Sequence, residues 1–212
     1  MSRSRRTSVR GYRTTRIVQA LAWPAVAIII ALVLFRDHTA SQEAALDARG
    51  IKISYYLQQA AEHGGPEATP PQVTPDAITI VRTAQRASSM SLSGAIVLWL
   101  DDNPDRSSNE REALALLGLQ FVFANSVADA IQQVKVKRFN AAITSFKLGD
   151  DPEAGYTLLA EVKKIAPALP VIIYTKRVSW EREAEAKRRG AFDETNSPVR
   201  LFDLIVSIIK GR

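Results

Sequence analysis

Short apolar runs alternate with amphipathic stretches through the C-terminal half of the chain, from residue 94 onward. The apolar runs are largely continuous, as in AIVLWL at 95–100, which is the pattern of strands buried on both faces of a parallel sheet. The stretches between them repeat apolar residues at helical spacing. The predicted strands cover residues 95–100, 120–124, 140–146, 170–175 and 192–195. The predicted helices cover residues 109–117, 126–136, 153–165, 179–189 and the stretch that begins at 198.

Five successive strand–helix units predict an α/β domain over residues 94–212, with a five-stranded parallel, doubly wound sheet and helices on both faces. Ligand sites in such sheets lie beyond the carboxyl ends of the strands. The polar residues expected at that edge are Asp101, Asp102, Ser145, Thr175 and Ser197.

Residues 17–35 form an uncharged apolar run that, as a helix, would be ~28 Å long, close to the thickness of the hydrocarbon core of a bilayer. We therefore predict one transmembrane helix, which makes the chain a single-pass protein of the cell (inner) membrane with lipid as the partner of residues 17–35. A cleaved signal peptide and a buried core helix are the alternatives. Residues 1–16 are a basic tail with six arginines and no acid, so the positive-inside rule places the N-terminus in the cytoplasm. The side on which the C-terminal domain lies stays open.

Residues 36–93 connect the predicted span to the α/β domain. A juxtamembrane helix is predicted within residues 39–63, a Pro/Gly linker over 64–76, and a further short helix within 77–92. The juxtamembrane helix is either a plain connector or a stalk that forms a homodimer.

The net charge of +6 belongs to the N-terminal tail, because its six arginines account for all of it. A nucleic-acid reader carries its positive charge on the folded surface, so no nucleic-acid partner is expected. The chain has no cysteine, which excludes disulfides, thiolate metal sites and cysteine nucleophiles. No nucleotide-binding glycine motif is present, and we do not expect an enzyme.

Four motifs of the C-terminal domain occur in a fixed order: LWLDDNP, EAGYTLL, PVIIYT and GAFDETNSP. On these motifs the domain resembles the receiver domain of bacterial response regulators over residues 94–212. The resemblance implies that an aspartate at the end of strand three accepts a phosphoryl group from a histidine kinase. It also implies that Asp101 and Asp102 hold Mg²⁺ and that Thr175 contacts the phosphoryl oxygen.

Three positions depart from the pattern of that family. The phosphoacceptor position is Ser145, the position of the usual lysine is Ser197, and the usual aromatic position on strand five is Glu194. A serine hydroxyl is far less ionised than a carboxylate, and the loss of the lysine removes the cation that balances phosphoryl charge. Without these groups Asp101 and Asp102 are expected to bind Mg²⁺ weakly, and no other cofactor is expected.

The prediction that follows is a membrane-anchored pseudo-receiver, a signalling and protein-interaction module in or beside a phosphorelay that works without aspartyl phosphorylation. Its protein partner is unknown. One alternative is a receiver that is phosphorylated on a displaced acceptor, Asp150 or Asp151. The other is a hydrolase on a doubly wound sheet, for which Glu194 would be the available carboxylate.

Overall fold

The computed structural model describes residue 43 and residues 45–62 and 77–211. Helix α1 covers residues 45–62. The other helices are α2 Ala77–Ser88, α3 Ser108–Ala115, α4 Val127–Val136, α5 Ala154–Ile165, α6 Trp180–Arg188 and α7 Pro198–Lys210, and a short 3-10 helix at Pro104–Ser107 precedes α3. The strands are β1 Ile96–Leu100, β2 Gln120–Ala124, β3 Ala141–Thr144, β4 Val171–Tyr174 and β5 Asp193–Thr195.

The five strands form one parallel sheet in the order β2-β1-β3-β4-β5. Strands β1, β3 and β4 are buried almost throughout, as their continuous apolar sequences require. The predicted five-stranded parallel sheet is therefore confirmed. Strand β2 has its predicted bounds, whereas the other four strands are shorter than predicted, and β3 ends at Thr144 rather than at residue 146.

Two hydrophobic cores lie on opposite faces of the sheet. The first joins Trp99 and Tyr174 of the sheet to α3 and α7, and also to Ile53 and Leu57 of α1 and Ile80 of α2. The second, built around α4, α5 and α6, includes these buried residues: Leu98, Leu100, Ala130, Val134, Leu158, Leu159, Val162, Ile173 and Ala186. Helices therefore cover both faces of the sheet, as predicted.

Helices α1 and α2 belong to the same compact unit as the sheet, which begins at Leu46. The guanidinium of Arg49 on α1 donates to the carbonyls of Ser88 and Met90 at 3.3 and 3.4 Å. Gly50 is helical and buried, and a Cβ on it would meet the Cβ of Ser88 at 3.4 Å. The segment predicted as a connector thus contributes side chains to the first core.

Across residues 45–62 and 77–211, every helix is too short or too polar to cross a bilayer. The predicted span over residues 17–35 and the predicted linker over 64–76 lie outside the described residues.

Candidate functional site

The acidic pair follows β1 at the carboxyl edge of the sheet. Asp101 is only 8% exposed, and its Oδ1 accepts a hydrogen bond of 3.0 Å from the backbone N–H of Asn103. Burial raises the pKa of Asp101 above its ordinary value; the hydrogen bond from Asn103 opposes this effect and the charge of Asp102 adds to it. Asp102 is exposed, and its Oδ2 accepts from the backbone N–H of Gly149 at 2.9 Å. The two carboxylates are thus held by backbone groups of two different loops.

Ser145 lies at the same level of the sheet as the acidic pair. Leu100 of β1 is paired with Thr144 of β3, so the residues that follow them, Asp101 and Ser145, leave the sheet side by side. The backbone N–H of Ser145 donates to the carbonyl of Leu100 at 3.0 Å, and its carbonyl accepts from Oγ1 of Thr144 at 2.9 Å. A hydroxyl therefore stands where the resemblance implies a carboxylate.

Helix α5 starts very close to this loop. A Cβ on Gly155 would lie 2.8 Å from the carbonyl oxygen of Ser145 and 3.1 Å from Cα of Phe146. Only a glycine permits this approach without a shift of the backbone. The start of α5 thus packs against the backbone of Ser145 and Phe146, directly beyond the end of β3.

Asp150 and Asp151 lie in a tight turn beyond Ser145. The backbones of Leu148 and Asp151 exchange two hydrogen bonds of 3.0 Å, and both aspartates are exposed. Oδ1 of Asp151 accepts from the backbone N–H of Glu153 at 3.0 Å, next to the start of α5. These contacts are those of a solvated turn that leads into a helix.

The backbone of Thr175 and the side chain of Ser197 make structural contacts at the ends of β4 and β5. The backbone N–H of Thr175 donates to the carbonyl of Thr195 at 3.0 Å. Oγ of Ser197 accepts from the backbone N–H of Arg200 at 3.3 Å, which caps α7. The N–H of Ser197 donates to Oγ1 of Thr195 at 3.0 Å. The site therefore has no side-chain cation at position 197.

Glu194 forms an ion pair that sequence reasoning missed. It is 3% exposed, and its Oε1 accepts from Nη2 of Arg182 on α6 at 2.7 Å. The guanidinium of Arg182 lies 3.9 Å from the centroid of the ring of Phe146, in the loop that follows Ser145. Burial raises the pKa of Glu194, and Arg182 partly opposes that shift. We call this set of three residues, Phe146, Arg182 and Glu194, the α6 clamp.

A second buried polar pair lies on the other face of β4. Tyr174 donates its hydroxyl to Oε1 of Glu110 on α3 at 2.6 Å, and both side chains are buried. Burial raises the pKa of Glu110 and raises that of Tyr174 well above its ordinary value. Sequence analysis gave no role to this pair, although a glutamate in a helix face that covers a sheet signals a buried partner.

Within the described part of the chain, no cluster of three or more histidine, cysteine or acidic residues could hold a metal ion. The donors nearest to a metal site are the two carboxylates of Asp101 and Asp102, with the hydroxyl of Ser145 beside them. Mg²⁺ accepts one or two protein carboxylates and completes its octahedron with water, so the donor set fits a weakly held, hydrated ion at most.

A doubly wound five-stranded sheet with an acidic pair at its carboxyl edge is the architecture that the resemblance to receiver domains predicted. The response regulator receiver domain family matches residues 97–208, which is more than half of the chain. The chain therefore belongs to the response regulator receiver family, and it contains the receiver domain of two-component signalling.

Among curated proteins, the chain is similar to the transcriptional regulatory protein ZraR of Escherichia coli O157:H7. The two are 28% identical over 115 residues, which is 54% of this chain and 26% of ZraR. The transcriptional regulatory protein GlrR of Escherichia coli K12 is 29% identical over 110 residues, 52% of this chain and 24% of GlrR. The chain thus spans about a quarter of the length of these relatives.

Solved structures show the same fold. The receiver domain of the Francisella response regulator 1452 has a TM-score of 0.50 at 19% identity and covers 56% of this chain and 98% of its own. A LuxR-family response regulator from Aurantimonas also has a TM-score of 0.50, at 20% identity, and covers 57% of this chain and 88% of its own.

Proposed function

We propose that this chain is a membrane-anchored pseudo-receiver, which acts as a signalling and protein-interaction module in or beside a phosphorelay without aspartyl phosphorylation. The observation that carries the proposal is Ser145. It directly follows β3, beside Asp101, and the stretch from 141 to 149 contains no acidic residue. A receiver needs a carboxylate there to form the labile acyl phosphate.

The surrounding chemistry supports the proposal. Serine is activated as a nucleophile when a base takes its proton, and the hydrogen bonds of Ser145 to Leu100 and Thr144 are made by its backbone and not by its hydroxyl. Ser197 caps α7 and supplies no charge to balance a phosphoryl group. Asp101 and Asp102 would bind Mg²⁺ weakly, and we assign no other cofactor.

The α6 clamp favours one fixed conformation of the surface around α6 over a surface that switches between two. It ties α6 to the loop after β3 and to β5 through Arg182, independently of any phosphoryl group. Such a domain presents the surface of α6 and α7 to a protein partner constantly.

Incubation with acetyl phosphate and Mg²⁺ tests whether the chain can form an acyl phosphate. We expect no phosphate that hydroxylamine releases from the wild-type chain. The double variant Ser145→Asp with Ser197→Lys restores the missing groups and is expected to gain label, so it serves as the matched positive control. Stoichiometric, hydroxylamine-sensitive labelling of the wild type would refute the proposal.

The alternative acceptors are tested in the same assay. Asp150 and Asp151 are exposed, and Asp151 is bonded to the start of α5, so we expect neither to accept phosphate. Label that appears in the wild type and disappears in Asp150→Ala or Asp151→Ala would establish a displaced acceptor instead.

Membrane anchoring through residues 17–35 is a separate part of the proposal and rests on the apolar sequence of that segment. We expect the chain to resist alkaline carbonate extraction, and protease accessibility in intact and opened cells gives the side on which the domain lies. Solubilisation by carbonate would refute the anchor and leave the phosphorylation result unaffected. A homodimer formed through α1 is an accompanying hypothesis.

A further inference from the structure

A groove of about 700 Å³ opens at the amino-terminal edge of the sheet, opposite the candidate site. It lies between the C-terminal ends of α4 and α5, where the chain leads into β3 and β4. Its lining contains three exposed cations, Lys135, Lys137 and Arg138, and no acid among the residues described. Val136 and Ile165, which are 81% and 37% exposed, add apolar surface. We call this surface the cationic groove.

The positive charge of the groove is larger than the partial negative charge of the helix ends beside it. The C-terminal ends of α4 and α5 each carry a partial charge of about −0.5, so together they offset roughly one of the three cations. Lys163 already donates to the carbonyls of Pro167 and Leu169 beyond α5, both at 3.2 Å. None of the three cations forms an ion pair within residues 45–62 and 77–211. The groove therefore has a net positive charge available to an anionic ligand.

The groove lies at the same edge of the sheet as the first turns of α1, where the compact unit begins at Leu46. The guanidinium of Arg49, in the second turn of α1, bonds to the carbonyls of Ser88 and Met90, just ahead of β1. At the start of β1, the N–H of Ile96 donates to Oδ1 of Asn140 at 2.9 Å, and its carbonyl accepts from the N–H of Asn140 at 2.8 Å. Because Asn140 lines the groove, the first turns of α1 and the groove share one edge.

The length of chain that precedes this edge limits its distance from the apolar segment. Eleven residues lead from Phe35, at the end of that segment, to Leu46. Fully extended, they span at most about 40 Å. If residues 17–35 lie in a bilayer, as the proposed function holds, the groove is within reach of the membrane surface.

We propose that the cationic groove binds the headgroups of anionic phospholipids. Its charge is complementary to phosphate, and its exposed Val136 and Ile165 suit the boundary between headgroups and acyl chains. Each basic residue near an anionic surface strengthens binding about fivefold, so the two positive charges that remain after the offset by the helix ends contribute about 25-fold. This inference rests on the proposed anchoring, and it adds a second, electrostatic contact that fixes the orientation of the domain.

The test uses the full chain in nanodiscs of phosphatidylcholine alone or with about 30% phosphatidylglycerol. Hydrogen exchange is followed in residues 134–140 and 165–169. We expect exchange there to slow by about tenfold or more in the anionic discs, and this protection to disappear in about 1 M salt. The variant Lys137→Gln with Arg138→Gln should lose most of the protection. The matched control, Lys147→Gln with Arg177→Gln, removes the same two charges from exposed residues at the opposite edge and should keep it.

Equal exchange in the two lipids would overturn the proposal, and so would equal protection in both variants. Protection that polyglutamate produces in neutral discs, and that phosphatidylglycerol does not, would assign the groove to an acidic protein instead. Failure of the chain to incorporate into discs would refute the anchor. The same exchange experiment with phosphatidylglycerol vesicles added to the free chain would then decide the groove separately.

Discussion

Replacement of Arg182 by methionine removes the cation that compensates a buried carboxylate at the end of the sheet. Glu194 is 3% exposed and receives its hydrogen bond from Arg182 at 2.7 Å, while the second oxygen of Glu194 has no partner among the described residues. Methionine retains much of the aliphatic stem of arginine but donates no hydrogen bond. The variant therefore leaves Glu194 buried without a donor in the described part of the chain.

The expected loss of stability is about 3 kcal/mol near neutral pH. Removal of one member of a fully buried ion pair costs about 3–5 kcal/mol, and the side chain of Arg182 is 32% exposed, so solvent screening reduces this to about 2–3 kcal/mol. Loss of the stacking on Phe146 adds about 0.5–1 kcal/mol. Protonation of Glu194 limits the total to about 4 kcal/mol at pH 7, because neutralising an ordinary carboxyl costs 1.36 kcal/mol for each pH unit above its pKa of about 4.3.

The loss of stability in the Arg182→Met variant should increase as the pH rises. Burial already raises the pKa of Glu194, and removal of Arg182 raises the folded-state pKa further above the unfolded value. A carboxyl with a raised folded-state pKa favours folding below the unfolded pKa, and this advantage is lost as the pH rises through the folded pKa. We therefore expect little difference between variant and wild type near about pH 4 and the full difference near about pH 8.

Urea unfolding of the full chain in mild detergent measures the effect. Trp99, which is 1% exposed, is a buried reporter once Trp23 and the exposed Trp180 are replaced by phenylalanine in all variants. Arg188→Met is the matched control, since Arg188 pairs with Glu185 on the surface of the same helix. A loss below about 0.5 kcal/mol, or a loss independent of pH, would refute the assigned role of the α6 clamp.

Three further predictions concern the packing around the site. Tyr174→Phe leaves the buried carboxyl of Glu110 without its donor, and urea unfolding should show a loss of about 1–3 kcal/mol that grows from acid to neutral pH, because burial raises the pKa of Glu110. Leu57→Ala, in the core shared by α1 and the sheet, should lower the free energy of unfolding by about 2–5 kcal/mol, whereas Ile51→Ala, on the exposed face of α1, should change it by less than about 0.5 kcal/mol. Gly155→Ala should cost about 1–3 kcal/mol and shift the amide resonances of the loop after β3, because its Cβ would press on that backbone.

The sequence predicted the sheet well because its signals are local. Strands β1, β3 and β4 are largely continuous apolar runs, and the helix predicted to begin at residue 126 is capped there by Ser126, whose Oγ accepts from the N–H of Asp129 at 3.2 Å. The end of β3 was predicted two residues too late, because Phe146 is apolar and the sequence does not reveal that Gly155 brings α5 against the strand end.

The clamp and the buried tyrosine pair were missed for a different reason. Glu194 and Arg182 are 12 residues apart, and Glu110 and Tyr174 are 64 apart, so only the folded chain brings the partners together. The sequence singled out Glu194 only as a departure at the aromatic position and as an available carboxylate, and it did not predict that this acid is buried against a cation of α6.

The clamp and the proposed lack of a phosphoacceptor have the same consequence for signalling. A switch requires a second state of α6 that a new group can populate, and release of Arg182 at about 3 kcal/mol leaves that state less than about 1% occupied. A partner would have to bind the released state over about a hundredfold more tightly to equalise the two states, and about ten-thousandfold more tightly to invert their ratio. Ser145 forms no acyl phosphate in the proposed function, so no covalent charge supplies that difference at the site. We therefore infer that the output of this receiver depends on the location of its surface in the cell, because the conformation of that surface stays constant. Under that inference, the membrane anchor and the lipid contact of the cationic groove determine its output.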